Sequence, residues 1–265
     1  MRNAWRYGWM ALVPALLTGV ALAQDEGTEA PSLDEVRTAV GEAWAPVSTM
    51  TADVDVSAIM IINEARLALR GDGNVVYSAE GDTPKFRQVL QVTLPEPLTM
   101  SARVDALYDG ELLNLQLEFL NRIENQQAEP ALRRGAVPPG GAQLMAVLAD
   151  DTELTSAPKT MLDGASCFVL EATPKTAGEG LPFATATVFI TEERGMLRRV
   201  ILFDEAGAEM AQLNFTNALF DEAIAPERFV QAEPESAAEP ESSAETAEAD
   251  ENAEADAPAE GASAE

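Results

Sequence analysis

The chain has no histidine, one cysteine in 265 residues, and 17 lysines and arginines against 45 aspartates and glutamates. Each shortage removes a class of function. Without histidine, a serine or cysteine nucleophile lacks its usual base, and a zinc site of the His and Cys kinds cannot be assembled. Ser166 beside Cys167 sits in a strand pattern rather than at a sharp elbow, and no pair of acids stands out by spacing as a glycosidase pair would. These absences argue against an enzyme and imply neither cofactor nor metal. A single cysteine rules out an internal disulfide framework, and Cys167 reads as a small buried residue on a strand. The scarcity of cations leaves a net charge of −28. Nucleic acid and anionic lipid surfaces both require a basic face, so neither is an expected partner.

Long apolar runs are also scarce, and the one present stands at the start. Arg2 and Arg6 precede an apolar stretch from Trp9 to Leu22, followed by Ala21-Leu22-Ala23 before Gln24. The run contains Pro14, and no second stretch approaches the ~20 residues of a membrane span. Residues 1–23 therefore read as an export signal cleaved after Ala23, with Gln24 and not a cysteine directly after the cleavage point to carry a lipid anchor. Residues 24–31 form a polar leader. At the other end, residues 232–265 are nearly all Ala, Glu, Asp, Pro and Ser, with twelve carboxylates and no basic residue. Such a segment cannot bury enough apolar area to offset its ordering entropy and reads as a disordered acidic tail. It lacks the alternating-acid loop of a calcium hand. The net charge divides into +2 for the signal, −12 for the tail and −18 for the remainder. Residues 32–231 are left as one domain, long enough for a substantial core.

That domain begins with Ser32-Leu33-Asp34-Glu35, a capping box, after which Leu33, Val36, Val40 and Trp44 recur at helical spacing until Pro46. The period then changes. Met50, Ala52, Val54, Val56 and Ala58 alternate with Thr51, Asp53, Asp55 and Ser57, a half-buried strand with its aspartates toward solvent. Further strand signals follow at Ala65 to Arg70, Asn74 to Ala79, Lys85 to Leu94, Met100 to Tyr108 and Leu113 to Phe119, with Gly71-Asp72-Gly73-Asn74 and Asp109-Gly110 read as turns. From Met161 to Phe229 the chain reads as an antiparallel meander, its hairpins marked by Asp163-Gly164, Arg194-Gly195 and Ala206-Gly207. Between Arg122 and Asp151, prolines and glycines interrupt regular structure before Leu144, Met145, Val147 and Leu148 suggest a short helix. Its apolar stripe fits a lid over an open sheet and a plug of the core equally. The fold class is mainly β: a curved antiparallel sheet of roughly nine to eleven strands forming an incomplete barrel, with an N-terminal helix and a short lid helix.

Several local motifs give these pieces a family likeness. Pro84-Lys85-Phe86-Arg87 follows a polar turn, Tyr108-Asp109-Gly110 opens a hairpin, and Phe168-Val169-Leu170 ends near Pro174-Lys175. Gly195-Met196-Leu197, Phe203-Asp204-Glu205-Ala206-Gly207, Phe215-Thr216-Asn217 and Ile224-Ala225-Pro226-Glu227-Arg228-Phe229 complete the set. In this order the domain resembles the periplasmic outer-membrane lipoprotein carrier family. The resemblance implies a soluble, monomeric periplasmic carrier that holds lipoprotein or related lipid acyl chains in an apolar concavity. It also implies an inner-membrane donor and an outer-membrane acceptor protein as partners. An alternative on the same fold is a domain that senses lipid or lipoprotein and acts on a membrane partner. Thr83 stands where the family commonly places an arginine associated with holding the lid closed. Candidates for the apolar lining are Phe86, Leu115, Leu117, Phe119, Phe168, Leu170 and Phe189, with Met145 and Leu148 from the lid helix and Arg87 as a polar contact. Alternation fixes which residues share a face, but not which face is the open one.

Overall fold

Ser32 starts the first helix as its sequence predicts. Its Oγ accepts from the Glu35 N–H at 3.3 Å while Glu35 Oε2 accepts from the Ser32 N–H at 2.7 Å. The Ser32 N–H, and after it the Ser32 hydroxyl donating to the same oxygen at 2.8 Å, hold the Glu35 carboxyl below its ordinary pKa. Helix α1 (Leu33–Trp44) buries Val36, Val40 and Trp44. The computed structural model describes residues 29–62, 65–80, 83–94, 100–119, 122–128, 137–176 and 183–231. The export signal, most of the polar leader and the acidic tail lie outside these residues.

Among the described residues eleven strands follow: β1 (Thr49–Ile62), β2 (Ala65–Ser78), β3 (Lys85–Leu94), β4 (Met100–Tyr108), β5 (Leu113–Phe119), β6 (Arg122–Ala128), β7 (Thr152–Leu162), β8 (Ala165–Pro174), β9 (Thr185–Thr191), β10 (Leu197–Phe203) and β11 (Glu209–Phe220). Helix α2 (Gly141–Asp151) lies between β6 and β7, and a 3-10 turn, Pro226–Phe229, follows β11. All strands join one antiparallel sheet in the order β6-β5-β4-β3-β2-β1-β11-β10-β9-β8-β7. The two edge strands do not pair with each other, so the sheet curves without closing. The chain builds one half outward from β1 to β6, crosses with α2 to the far edge, and returns strand by strand until β11 pairs with β1.

Local chemistry sets the register. Asp163 (φ 50°) and Gly164 (φ 83°) both take left-handed conformations, which suits a two-residue turn between Leu162 and Ala165. In the β1–β11 pair, Met50 faces Phe220 and Val54 faces Phe215, so six residues of β11 oppose five of β1. The extra residue is absorbed in a bulge where Asn217 adopts φ 50°. The bulge keeps both phenylalanines on the core side.

Two sequence expectations change. Gly71-Asp72-Gly73-Asn74 is not a turn but the middle of β2, paired with β3 through Gly73 opposite Leu90. A Cβ at Gly73 would lie 1.9 Å from the Val89 carbonyl oxygen. These glycines permit close backbone approach within a strand. Arg122–Ala128 and most of β7 are also strands, at the two sheet edges, where polar side chains replace the apolar alternation that marks interior strands.

Alternation sorts the side chains into two faces. The inner face and both helices form the main core, with Met50, Val54, Tyr77, Leu90, Leu113 and Phe215 among its members. A smaller cluster of Leu162, Cys167, Val169 and Phe189 lies on the opposite face of β7–β9.

Candidate functional site

The apolar inner face is assembled from both halves of the sheet. Phe86 on β3 and Leu115 on β5 come from one meander, Phe168 and Leu170 on β8 from the other. Met145 and Leu148 come from α2, and all six belong to a single cluster with Leu117 packed against it. The side chain of Phe119 lies outside the described residues. Phe189 does not share this face: it packs with Cys167 and Val169 in the smaller cluster, because its neighbours Val188 and Ile190 point the other way. Arg87 is likewise directed away, one residue from inward-facing Phe86.

Helix α2 covers the face and is tied at both ends. The Gly141 N–H donates to the Gly195 carbonyl at 2.8 Å, and the Leu197 N–H donates to the Pro139 carbonyl at 2.8 Å. At its other end, Lys175 Nζ donates to the Ala149 and Asp150 carbonyls at 2.7 and 3.1 Å. This places a cation on the negative end of the helix dipole. Between these ties, Leu144, Met145 and Leu148 are almost fully buried. Thr83 lies against the β4–β5 turn, where a Cβ at Gly110 would sit 2.4 Å from its Oγ1. The ties that hold α2 in place are backbone pairing, apolar packing and Lys175.

The approach to α2 also reaches across the sheet. Val137 donates its N–H to Gln88 Oε1 on β3 at 3.3 Å, while Pro139 pairs with the start of β10. In a flat sheet, β3 and β10 would stand ~19 Å apart, four strand spacings. Curvature is what lets one short segment touch both.

Sequence reasoning missed the polar members of this face. Gln88 occupies an inward position between Phe86 and Leu90 and is 1% exposed. That signal was present: in Phe86-Arg87-Gln88-Val89-Leu90, alternation alone puts the glutamine on the apolar side.

The outer face of the first half is charged and satisfied. Arg87 Nε and Nη2 donate to the two carboxylate oxygens of Asp105 at 2.8 and 2.5 Å, and Asp105 is 1% exposed. Hydrogen bonding to Asp105 raises the Arg87 pKa above its ordinary value. The segment after β11 lies over this pair. Arg87 Nη1 donates to the Arg228 carbonyl, Arg228 Nη2 to Asn74 Oδ1, and Gln231 Nε2 to the Asp105 and Asn114 carbonyls. Lys85 Nζ stands 4.8 Å over the Phe229 ring.

Reactive chemistry is muted. Burial pushes the Cys167 thiol up to about 11, so it stays protonated near neutral pH. Among the described residues no three His, Cys, Asp or Glu side chains gather as a metal site. No helix among them is long and apolar enough to cross a membrane.

No protein-family model and no curated protein matches the chain. Solved structures of similar fold include an uncharacterized conserved protein from Thermus thermophilus at 13% identity, covering 77% of this chain and 95% of that one with a TM-score of 0.43. A LolA superfamily protein from Nitrosomonas europaea matches at 11% identity over 76% of this chain and 98% of that one, TM-score 0.31. The MucA/MucB complex from Pseudomonas aeruginosa matches at 13% identity over 75% of this chain and 60% of that one, TM-score 0.41.

Proposed function

We propose that this chain is a periplasmic carrier that takes the acyl chains of a lipoprotein, or of a related lipid, onto the inner face of its open sheet. The observation that supports this most is the single apolar cluster running from β5 to β8 beneath two helices, on a sheet whose edges never meet. A closed barrel of this size would satisfy its interior with its own strands. An open one needs a cover, and a cover held by apolar packing can be exchanged.

The energetics of that exchange are close to balanced. Leu144, Met145 and Leu148 contribute ~1.5–3 kcal/mol each when buried, hence ~5–9 kcal/mol for the apolar face of α2. A 16-carbon acyl chain with half its methylenes enclosed gains ~6 kcal/mol at ~0.8 kcal/mol per methylene. An acyl chain therefore binds the inner face about as strongly as the helix packs on it, a balance that suits reversible loading and release. Methionine suits the contact because its flexible thioether repacks at low cost.

In this reading residues 1–23 direct export and are removed, residues 32–231 carry the cargo as a monomer, and the acidic tail remains a solvated appendage. An inner-membrane donor and an outer-membrane acceptor complete the cycle. Purification without detergent, followed by organic extraction and mass spectrometry, tests the reading: acylated species are expected with the protein, and their absence under every expression condition contradicts it. A pull-down from envelope fractions separates a carrier, which exchanges partners, from a sensor, which retains one membrane partner in fixed ratio.

A further inference from the structure

Apolar cargo alone leaves one feature of the inner face unexplained. Gln88 Oε1 accepts from the Val137 N–H. That bond fixes the amide orientation, because a backbone donor needs oxygen opposite it. Gln88 Nε2 is then a buried donor with no hydrogen-bond partner among the described residues, and the same holds for Trp44 Nε1 and Gln143 Oε1. Trp44 Nε1 and Gln143 Oε1 are neighbours, and Gln88 is tied to the same segment through Val137. An added Cβ at Gly140 would lie 2.8 Å from Trp44 Nε1 and 2.6 Å from Gln143 Oε1, and Gly140 ends the short segment that begins at Val137. The Trp44 ring also packs 5.0 Å from Tyr77, whose cross-strand partner is Phe86, two residues from Gln88 on the same face.

Buried polar side chains in folded proteins are almost always paired. Two unpaired donors and one unpaired acceptor along one short segment leave hydrogen-bonding capacity that a polar head can use. We propose that this junction of α1, β3 and the approach to α2 anchors the head of an acyl chain. Gln88 Nε2 holds the carbonyl oxygen of the ester or amide through which the chain is attached, and Trp44 Nε1 donates to a further oxygen of the same head. Gln143 Oε1 accepts from an amide N–H or a hydroxyl beside that carbonyl. The inference rests on the acyl-binding reading above and narrows it: the site selects acyl esters and amides over hydrocarbons and alkyl ethers of equal length.

The test uses a matched pair, 1-palmitoylglycerol and 1-O-hexadecylglycerol, which differ only by carbonyl against methylene, titrated calorimetrically into the chain from Gln24 onward. The ester is expected to bind about five- to tenfold tighter than the ether, the effect of one hydrogen bond from a buried donor. Gln88→Leu should erase that preference by weakening the ester while leaving the ether unchanged. Gln88→Met, which keeps the length and flexibility of the side chain, should do the same if the leucine variant folds poorly. Trp44→Phe should weaken ester and ether alike. Equal affinity of the natural chain for ester and ether overturns the anchor while the carrier reading stands, and binding of neither probe overturns both. Undiminished ester preference in both Gln88 variants also overturns the assignment.

Discussion

Arg87 and Gln88 are consecutive residues of β3, both largely withdrawn from solvent, and their surroundings treat them in opposite ways. On the outer face, Arg87 meets Asp105 with two hydrogen bonds and a backbone carbonyl of the C-terminal segment with a third. On the inner face, Gln88 has one bond to the Val137 backbone and an amide nitrogen with no partner among the described residues. On the outer face the Arg87–Asp105 pair is satisfied within the protein. The inner face is the apolar core under the two helices, with Gln88 as a buried polar member.

The largest expected contrast separates the two apolar clusters. Phe168→Ala, in the main core, and Phe189→Ala, in the outer cluster, should each cost ~3–5 kcal/mol in chemical denaturation. Only the first should weaken acyl binding by the molecules that remain folded. Equal losses of binding would erase the distinction between the faces.

The next contrast lies on β3 itself. Arg87→Ala leaves the Asp105 carboxylate nearly buried, with Arg103 3.5 Å away as its remaining ion-pair partner. Breaking such a pair should cost ~3 kcal/mol, whereas replacing both members by apolar residues of similar volume should recover most of the loss. Gln88→Leu should change the stability of the empty protein by less than ~1 kcal/mol, because losing the acceptor for Val137 is offset by removing an unpaired donor. A large destabilisation by Gln88→Leu would mean that the inner face is as internally complete as the outer one.

A hairpin belonging to neither face provides the smallest effect. The Asp109 carboxylate accepts from the Leu112 and Glu111 N–H groups at 2.9 and 3.0 Å. These bonds, Leu112 first, hold its pKa below the ordinary 3.8. A depressed carboxyl pKa contributes stability that is present above 3.8 and lost as pH falls through the folded value. Asp109→Asn should therefore lower stability slightly near neutral pH and converge on the natural chain as the pH falls through the folded pKa. A difference that persists in acid, below that pKa, would implicate geometry instead of charge.

The sequence was most legible where local chemistry and burial pattern agreed. The Ser32–Glu35 capping box, the alternation of β1 and the Asp163-Gly164 turn each specify their structure within a few residues. Reading failed where position in the sheet overrides composition. Gly71 and Gly73 resemble turn residues, but they sit where two strands approach too closely for side chains. Arg122–Ala128, an edge strand, has a polar sequence that carries no apolar alternation to mark it. Phe189 looked like lining because hydrophobicity carries no information about which side of a sheet is covered. Gln88 could have been found from its inward parity, but its unpaired nitrogen follows from α2 and its approach, which come from distant sequence.

The most direct test uses Trp44, the one tryptophan that remains once residues 1–23 are removed. A brominated acyl chain quenches tryptophan emission only on contact. Titration of 2-bromopalmitate, whose bromine sits beside the carbonyl, into the chain from Gln24 onward should produce saturable quenching of Trp44, reversed by an unbrominated acyl chain. Emission that stays constant up to the solubility limit of the probe would contradict occupation of the inner face by acyl chains.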